Sequence, residues 1–287
     1  MRADCHIHMV LDGRDWRSAI ARHSETPEDA FIHTALAAWR GRGFTHLRDG
    51  GDRWGAGRRA RELAPRYGIT YLTPLAPLHK RGHYGGFIGR GFDTLGEYAG
   101  LVRENRENGC DFIKIMISGL MDFGHAGVLT EPGLDSGTIR EMVHIAHEEG
   151  LAVMAHGNGG DTVLAAAEAG VDSVEHGAYL HRDALAAVAE AGTVWVPTLS
   201  TIGNLLGRGR FPDDQVRSIL DTALENVAEF AAMGGVVAAG SDAGAWSVPH
   251  GLGGETEEAW LAKALGAQAQ PLLEKGNHEI FRRFRRQ

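Results

Sequence analysis

LAVMAHGNGGDTVLAAAEAGVDSVEHGAYLHRDALAAVAEAGTVWVPTL (151–199) is the stretch whose reading decides the fold. It holds three short apolar runs, LAVMAH (151–156), DSVEH (172–176) and TVWVPTL (193–199), separated by alanine-rich amphipathic stretches at 160–169 and 181–191. Short apolar runs bounded by glycine read as strands, and the longer stretches between them as helices. Strand, helix and strand in this rhythm imply parallel strands joined by crossover helices. The runs are largely apolar on both faces, as a strand covered by helices must be. Gly150, Gly170 and Gly192 stand before them, where a helix C-terminus takes a left-handed residue.

The same rhythm extends in both directions. Upstream are a strand at 2–9, a helix at 28–41 after a cap-like Thr26-Pro27, FTHLRD (44–49), a basic helix at 54–66, and ITYLTPL (69–75). A long loop at 76–92, a helix at 93–108, DFIKIMIS (111–118), a loop at 119–134 and a helix at 136–149 follow. Downstream, a helix at 213–233 precedes GVVAAGSD (235–242), then a helix at 255–266 and a helical tail. Gly43, Gly68, Gly109 and Gly234 repeat the glycine punctuation. Eight strand–helix units in about 250 residues match a closed (β/α)8 TIM barrel, here one domain over 1–287. An open doubly wound sheet would carry a glycine-rich dinucleotide turn after strand one, and none is there.

Composition fits such a chain and excludes several classes. Of 287 residues, 43% are hydrophobic and 23% charged; 29 Lys and Arg against 37 Asp and Glu give a net charge of −8. That balance argues against nucleic acid as a partner. No apolar run is long enough to span a membrane, and MRADCHIHMV does not read as a secretory leader. Cys5 and Cys110 make no disulfide framework, which fits a reducing, cytoplasmic setting.

Certain strands carry residues that do not belong in an apolar sheet. His6 and His8, two apart on strand one, point the same way, with Asp4 one layer lower. Cys5 alternates outward. Lys114 sits inside FIKIMIS, His156 ends strand five, His176 strand six and Asp242 strand eight. All lie toward the C-terminal ends of their strands, the catalytic face of a barrel. A lone buried histidine is ordinarily a hydrogen-bonded core residue, and Lys114 with Asp242 would make a salt bridge. That bland account needs four histidines to converge on one rim by accident. A metal explains them together, since His and carboxylate ligands suit zinc and its neighbours. An ammonium ligates nothing, and burying Lys114 unpaired costs several kcal/mol. If its amine takes up CO₂ it becomes a carbamate, an anionic ligand able to bridge two cations.

The five pieces together, HIH (6–8), FIKIMISG (112–119), MAHGNG (154–159), VEHGAYL (174–180) and AGSDAG (239–244), resemble the amidohydrolase superfamily over residues 4 to about 265. IKIMISG (113–119), VPTL (196–199) and GSDAG…PHG (240–251) resemble its prolidase and imidazolonepropionase-like branch. The resemblance implies a binuclear centre of two divalent ions (zinc, or manganese, iron, cobalt or nickel). His6, His8 and Asp242 would hold one metal and His156 and His176 the other. N6-carboxylated Lys114 would bridge them, with a hydroxide between that attacks the substrate while Asp242 shuttles the proton. The expected activity is hydrolysis of an amide C–N bond, in the peptidase or amidase class, on prolidase-like dipeptides or N-acyl amino acids. The alternatives are a lactone or phosphoester hydrolase on the same site, or a non-catalytic metal-binding protein. A deaminase fits less well because it would lack the strand-four lysine. Most of that branch carries a small β-sandwich domain, for which this sequence leaves no room, and 254–281 match the family's last helices loosely.

Substrate contacts are expected from rim loops. RGHYGGFIGRG (81–91) offers His83, Tyr84 and Arg90, with Arg90 or Arg81 as a carboxylate clamp. His125 in FGHAG (123–127) and His250 in PHG (249–251) are further candidates. His46 and Arg48 share one face of strand two, as inner-layer residues or as supports of the site. His144 and His147 read as outer surface. The tail FRRFRRQ (281–287) reads as a helix end with arginines at the negative pole and phenylalanines packed on the barrel. The partner is a small-molecule substrate, and a homo-oligomer is a weak expectation from the family.

Overall fold

Eight of the ten strands in the computed structural model, which describes residues 1–125 and 127–286, are the eight apolar runs. In chain order the elements are β1 (Ala3–Ile7), α1 (Trp16–Arg22), α2 (Asp29–Gly41), β2 (His46–Asp49), α3 (Ala56–Leu63), β3 (Thr70–Leu72), β4 (Leu78–Lys80) and β5 (Arg90–Phe92). Next come α4 (Leu95–Glu107), β6 (Ile113–Met116), α5 (Ser136–Glu148), β7 (Val153–Gly157), α6 (Gly160–Glu168), β8 (Ser173–His176) and α7 (Arg182–Glu190). The chain ends with β9 (Val194–Val196), α8 (Ser200–Gly203), α9 (Asp213–Ala232), β10 (Val236–Val237), α10 (Leu252–Leu265) and α11 (Ala269–Arg283). No described helix is long and apolar enough to cross a membrane.

All strand pairs are parallel, in the orders β1-β2-β3 and β10-β9-β8-β7-β6-β4-β5. Backbone bonds join the two sheets at both seams. Cys5 N–H donates to Ala239 O, Asp242 N–H to His6 O and His8 N–H to Ala243 O, each at 2.7 Å. At the other seam Asp111 N–H donates to Thr73 O at 3.0 Å. The result is the (β/α)8 TIM barrel. The seven glycines that precede strands all adopt positive φ, between 63° and 86°.

Alternation along each strand divides the molecule. Outward residues Ile113, Ile115, Val153, Ala155 and Val174 join the helices in one large apolar cluster, while Asp4, His6, Lys114 and His156 face the axis. Cys5 packs outward against α11, its Sγ 3.5 Å from Asn277 Oδ1. α11 and the residues after it close the lower end: Phe284 is fully buried against Phe112, ring centroids 5.2 Å apart. Arg282 and Arg283 pair with Glu279, as a solvated helix end does. Gln287, the last residue of that tail, and Ala126 in FGHAG lie outside the described residues.

Three details differ from the sequence reading. The loop expected at 76–92 contains β4 and β5, because residues 78–80 find the edge of β6 and 90–92 pair with them in turn. α1 and α8 were not expected; both are too short for a periodic signal. Glu28, not Thr26, caps α2, and its side chain makes no capping bond.

α8 is fixed from a distance. Glu257, fully buried on α10, accepts from Leu199 N–H at 3.0 Å and Ser200 N–H at 2.6 Å. Glu257→Ala strands both donors in the interior and is expected to cost about 3 kcal/mol in urea unfolding. Glu257→Gln keeps an acceptor and should recover a large part of that loss.

Candidate metal centre

β1 sends His6 and His8 to the upper rim of the barrel axis. There His6 Nε2 lies 3.4 Å from His8 Nε2, and the two nitrogens lie 3.6 and 3.5 Å from Asp242 Oδ1. Ligand atoms of these three residues fall within 4.8 Å of one another. The histidine rings continue as a chain, with centroids 5.0 Å apart from His6 to His176 and 4.5 Å from His176 to His156. Thr198 Oγ1 lies 2.8 Å from His176 Nδ1, and Gly119 O 3.2 Å from His156 Nε2. The room for His8 comes from Gly50: a Cβ there would stand 2.3 Å from the imidazole.

Backbone strain helps to make this arrangement, at Thr198 (φ 50°) as well as at two of the candidate ligands. Asp242 has φ 58° and His176 has φ 70°, left-handed values that are costly for residues with a Cβ. On β8, alternation sends Ser173 and Glu175 inward, so His176 would point out among the helices. The left-handed turn at His176 redirects its ring to the rim.

The electrostatics suit cation binding. Burial holds His8 and His156 down to about 3, and His6 and His176 well below the usual imidazole range. All four are therefore neutral at neutral pH, with lone pairs to donate. Lys114, 1% exposed, has no hydrogen-bond partner for its Nζ, and burial pushes the amine down to about 8. Asp242 Oδ1 is likewise unpartnered, and burial pushes its carboxyl up to about 7. A buried amine and a buried carboxylate oxygen without hydrogen-bond partners, among four neutral imidazoles, cost free energy unless a further group satisfies them. The imidazoles and the Asp242 carboxylate fit a group of positive charge.

Beneath the rim lies a network that the sequence reading did not identify. Glu175 Oε2 is 2.8 Å from His6 Nδ1, and its Oε1 accepts from Arg48 Nη2 at 2.8 Å and Ser173 Oγ at 2.5 Å. Arg48 also donates from Nε to Cys5 O at 2.6 Å and from Nη1 to Ser173 Oγ at 2.9 Å, and its guanidinium lies over the Phe284 ring at 4.4 Å. Arg48, Glu175 and Ser173 are fully buried. Because His6 Nδ1–H donates to the carboxylate, the neutral ring has its Nε2 unprotonated and facing Asp242. Of the pair on strand two, Arg48 is thus the interior residue, while His46 sits half-buried below, edge-on to Phe281 at 4.9 Å. Asn158 was also missed. It bonds Gly119 O at 3.0 Å and Ala178 N–H at 2.9 Å, tying together the segments that follow β6, β7 and β8. The sequence signal was present in VEH and HGNG, as polar residues inside otherwise apolar strand ends.

A cavity of about 690 Å³ opens above the centre and is lined by His8, Lys114, His156, His176 and Asp242, with Tyr84 among its walls. Tyr84 stands over His156, ring centroids 4.7 Å apart. The other rim candidates do not line it. Arg90 lies on the edge strand β5 and pairs with Glu104 of α4 at 2.6 Å, and Arg81 pairs with Glu97 at 3.1 Å. His83 is half-buried beside the β4 end, donating its backbone N–H to Lys80 O at 3.0 Å. His125 is 77% exposed and pairs with Asp122 at 2.8 Å. His250 Nε2 is 2.9 Å from Leu11 O, so this ring braces the segment after β1.

The model of the amidohydrolase family matches residues 3–270, so this chain belongs to the amidohydrolase family. An uncharacterized protein of Mycobacterium bovis and one of Mycobacterium tuberculosis are each 34% identical to it over 119 residues. That match covers 39% of this chain and 32% of the length of each relative. Among solved structures, a Xaa-Pro dipeptidase with methionine bound in its active site superposes with a TM-score of 0.78 at 21% identity, over 98% of this chain and 74% of that one. A prolidase complexed with N-methylphosphonate-L-proline gives 0.70 at 24%, over 98% and 71%. The ochratoxinase of A. niger gives 0.74 at 20%, over 93% and 67%. These likenesses establish the shared barrel.

Proposed function

We propose that this chain is a metal-dependent hydrolase of amide C–N bonds, of the prolidase-like branch, acting on dipeptides or N-acyl amino acids. One observation carries the reading: four neutral imidazoles converge on the catalytic face around an unpartnered lysine amine and an unpartnered carboxylate oxygen. His6, His8 and Asp242 would hold one divalent ion, His156 and His176 a second. Lys114 would bridge them after its amine adds to CO₂, forming an N–C bond and releasing one proton. Divalent ions held there supply Lewis-acid polarisation of the scissile carbonyl and lower the pKa of water.

The residues of the chain do the rest. Asp242 takes up a proton at its carboxylate as water adds to the amide carbon. It returns that proton to the nitrogen as the C–N bond breaks, and the second proton of the water passes from the new carboxyl group to the amine, so that a carboxylate and an ammonium leave. Glu175, by holding the His6 Nδ1 proton, keeps Nε2 free for the ion. Tyr84 and Asn158 border the space where the carbonyl would lie.

The test is metal content together with hydrolysis of a panel of dipeptides, N-acyl amino acids, lactones and phosphoesters. Asp242→Asn is expected to lower amide hydrolysis about 10²- to 10⁴-fold while leaving bound metal largely in place. Near-wild-type turnover in that variant overturns the proton role. Preference for a lactone or a phosphoester overturns the amide assignment.

A further inference from the structure

The outer half of the cavity differs in chemistry from its floor. Two aromatic pairs flank it, each built from segments far apart in sequence. Trp16, at the start of α1, meets Phe87 of the 81–89 segment edge-on at 5.7 Å, and Phe123 stacks on Phe211 at 4.8 Å. Trp16 and Leu120 are 44% and 42% exposed, among the few large apolar side chains open to solvent among the described residues, and both line this cavity. Exposed apolar surface gathered at the mouth of a polar site marks a surface meant to be covered.

A cation stands among these rings. The Arg210 guanidinium lies 4.7 Å from the Trp246 ring and 5.5 Å from that of Phe211. It makes no ion pair among the described residues. Arg14 and Arg17 also line the cavity without an ion pair among the described residues, but Arg17 lies over the Trp16 ring at 4.3 Å, on the Trp16–Phe87 side of the mouth, whereas Arg210 stands on the Phe211 and Trp246 side. Asp213, the nearest acid in sequence to Arg210, instead accepts from Gly207 N–H. A planar guanidinium laid on aromatic faces keeps its edge donors free and oriented for a carboxylate.

We propose that this outer half is a substrate subsite: Trp16 and Phe87 cover a bulky aromatic or branched acyl group, and Arg210 receives the free carboxylate of the amino acid on the other side of the scissile bond. The inference rests on the amide-hydrolase reading and narrows it. The substrate class is an N-acyl amino acid, or a dipeptide, with a large apolar group on the acyl side. The cavity, at about 690 Å³, falls in the range that suits a drug-sized ligand, and a small prolyl dipeptide would leave the aromatic mouth bare.

The test uses ligands that cannot be cleaved, so that binding is read apart from turnover. N-(2-naphthylsulfonyl)-L-leucine, its C-terminal carboxamide, and N-methylsulfonyl-L-leucine are titrated into zinc-loaded protein by calorimetry. The naphthyl acid is expected to bind about 10- to 100-fold more tightly than its carboxamide, the range of one charge-assisted hydrogen-bonded contact. Arg210→Met keeps the apolar stem and should erase that preference, while Arg210→Lys keeps part of it. Trp16→Leu should weaken the naphthyl acid and leave the methyl acid unchanged. Equal binding of acid and carboxamide, an undiminished preference in Arg210→Met, or equal binding of the methyl and naphthyl acids overturns the subsite. If the ligands bind as expected and no N-acyl amino acid is hydrolysed, the subsite stands and the hydrolytic reading falls.

Discussion

If Lys114 bridges two cations as proposed, Lys114→Ala is expected to lower amide hydrolysis at least about 10³-fold, because several kcal/mol of charge stabilisation would go with it. Bound zinc, measured by elemental analysis, should fall from about two ions per chain to about one, since His6, His8 and Asp242 converge without the lysine's help. In the metal-free protein, stability should not fall in proportion. The Lys114 amine is buried with no hydrogen-bond partner, so its removal relieves a desolvation cost that offsets the lost packing of its stem. A short carboxylate such as acetate or propionate, small enough for the vacated space, should restore part of the activity by standing in for the carbamate. Turnover within tenfold of the wild type, or an unchanged metal content, would falsify the bridging role.

Glu175→Ala should be the most destabilising single change in the centre, at about 3–5 kcal/mol, because it leaves Arg48 charged and unpaired in the barrel interior. Arg48→Met strands the Glu175 carboxylate in the same way. The double variant Arg48→Met/Glu175→Ala removes both charges and should cost much less than the sum of the two single changes, with a coupling of about 2 kcal/mol or more in a urea double-mutant cycle. Glu175→Gln alone still accepts from His6 Nδ1–H but does so without charge, and should weaken zinc about 10- to 100-fold in chelator competition. Strict additivity of the two single changes would show that the contacts at 2.8 Å carry no joint energy.

The two experiments separate what was legible in the sequence from what was not. Lys114 was legible because a lysine inside FIKIMIS violates the apolar rule of a covered strand. The meeting of His6 and His8 was legible because His-x-His on a strand shares a face. Glu175 violates the same rule beside His176, yet alternation lets only one of two neighbours face the axis. The sequence reading chose the histidine. The structure admits both, through the left-handed φ of 70° at His176, which no residue pattern announces. The rim loops were the least legible. Arg90 and Tyr84 lie six residues apart in one glycine-rich segment, but pairing of β5 with β4 turns Arg90 toward Glu104 and leaves Tyr84 over His156.

The amino-acid order alone determined the alternation of strands and helices, the barrel, and the polar residues that line its axis, because side-chain periodicity is a local property of the backbone. The tertiary structure decided which loop residues meet above the centre, that Arg48 and Glu175 join beneath it, and that Phe284 seals the lower end. Those contacts depend on where segments far apart in the chain come together when the ring closes, and no local pattern records that.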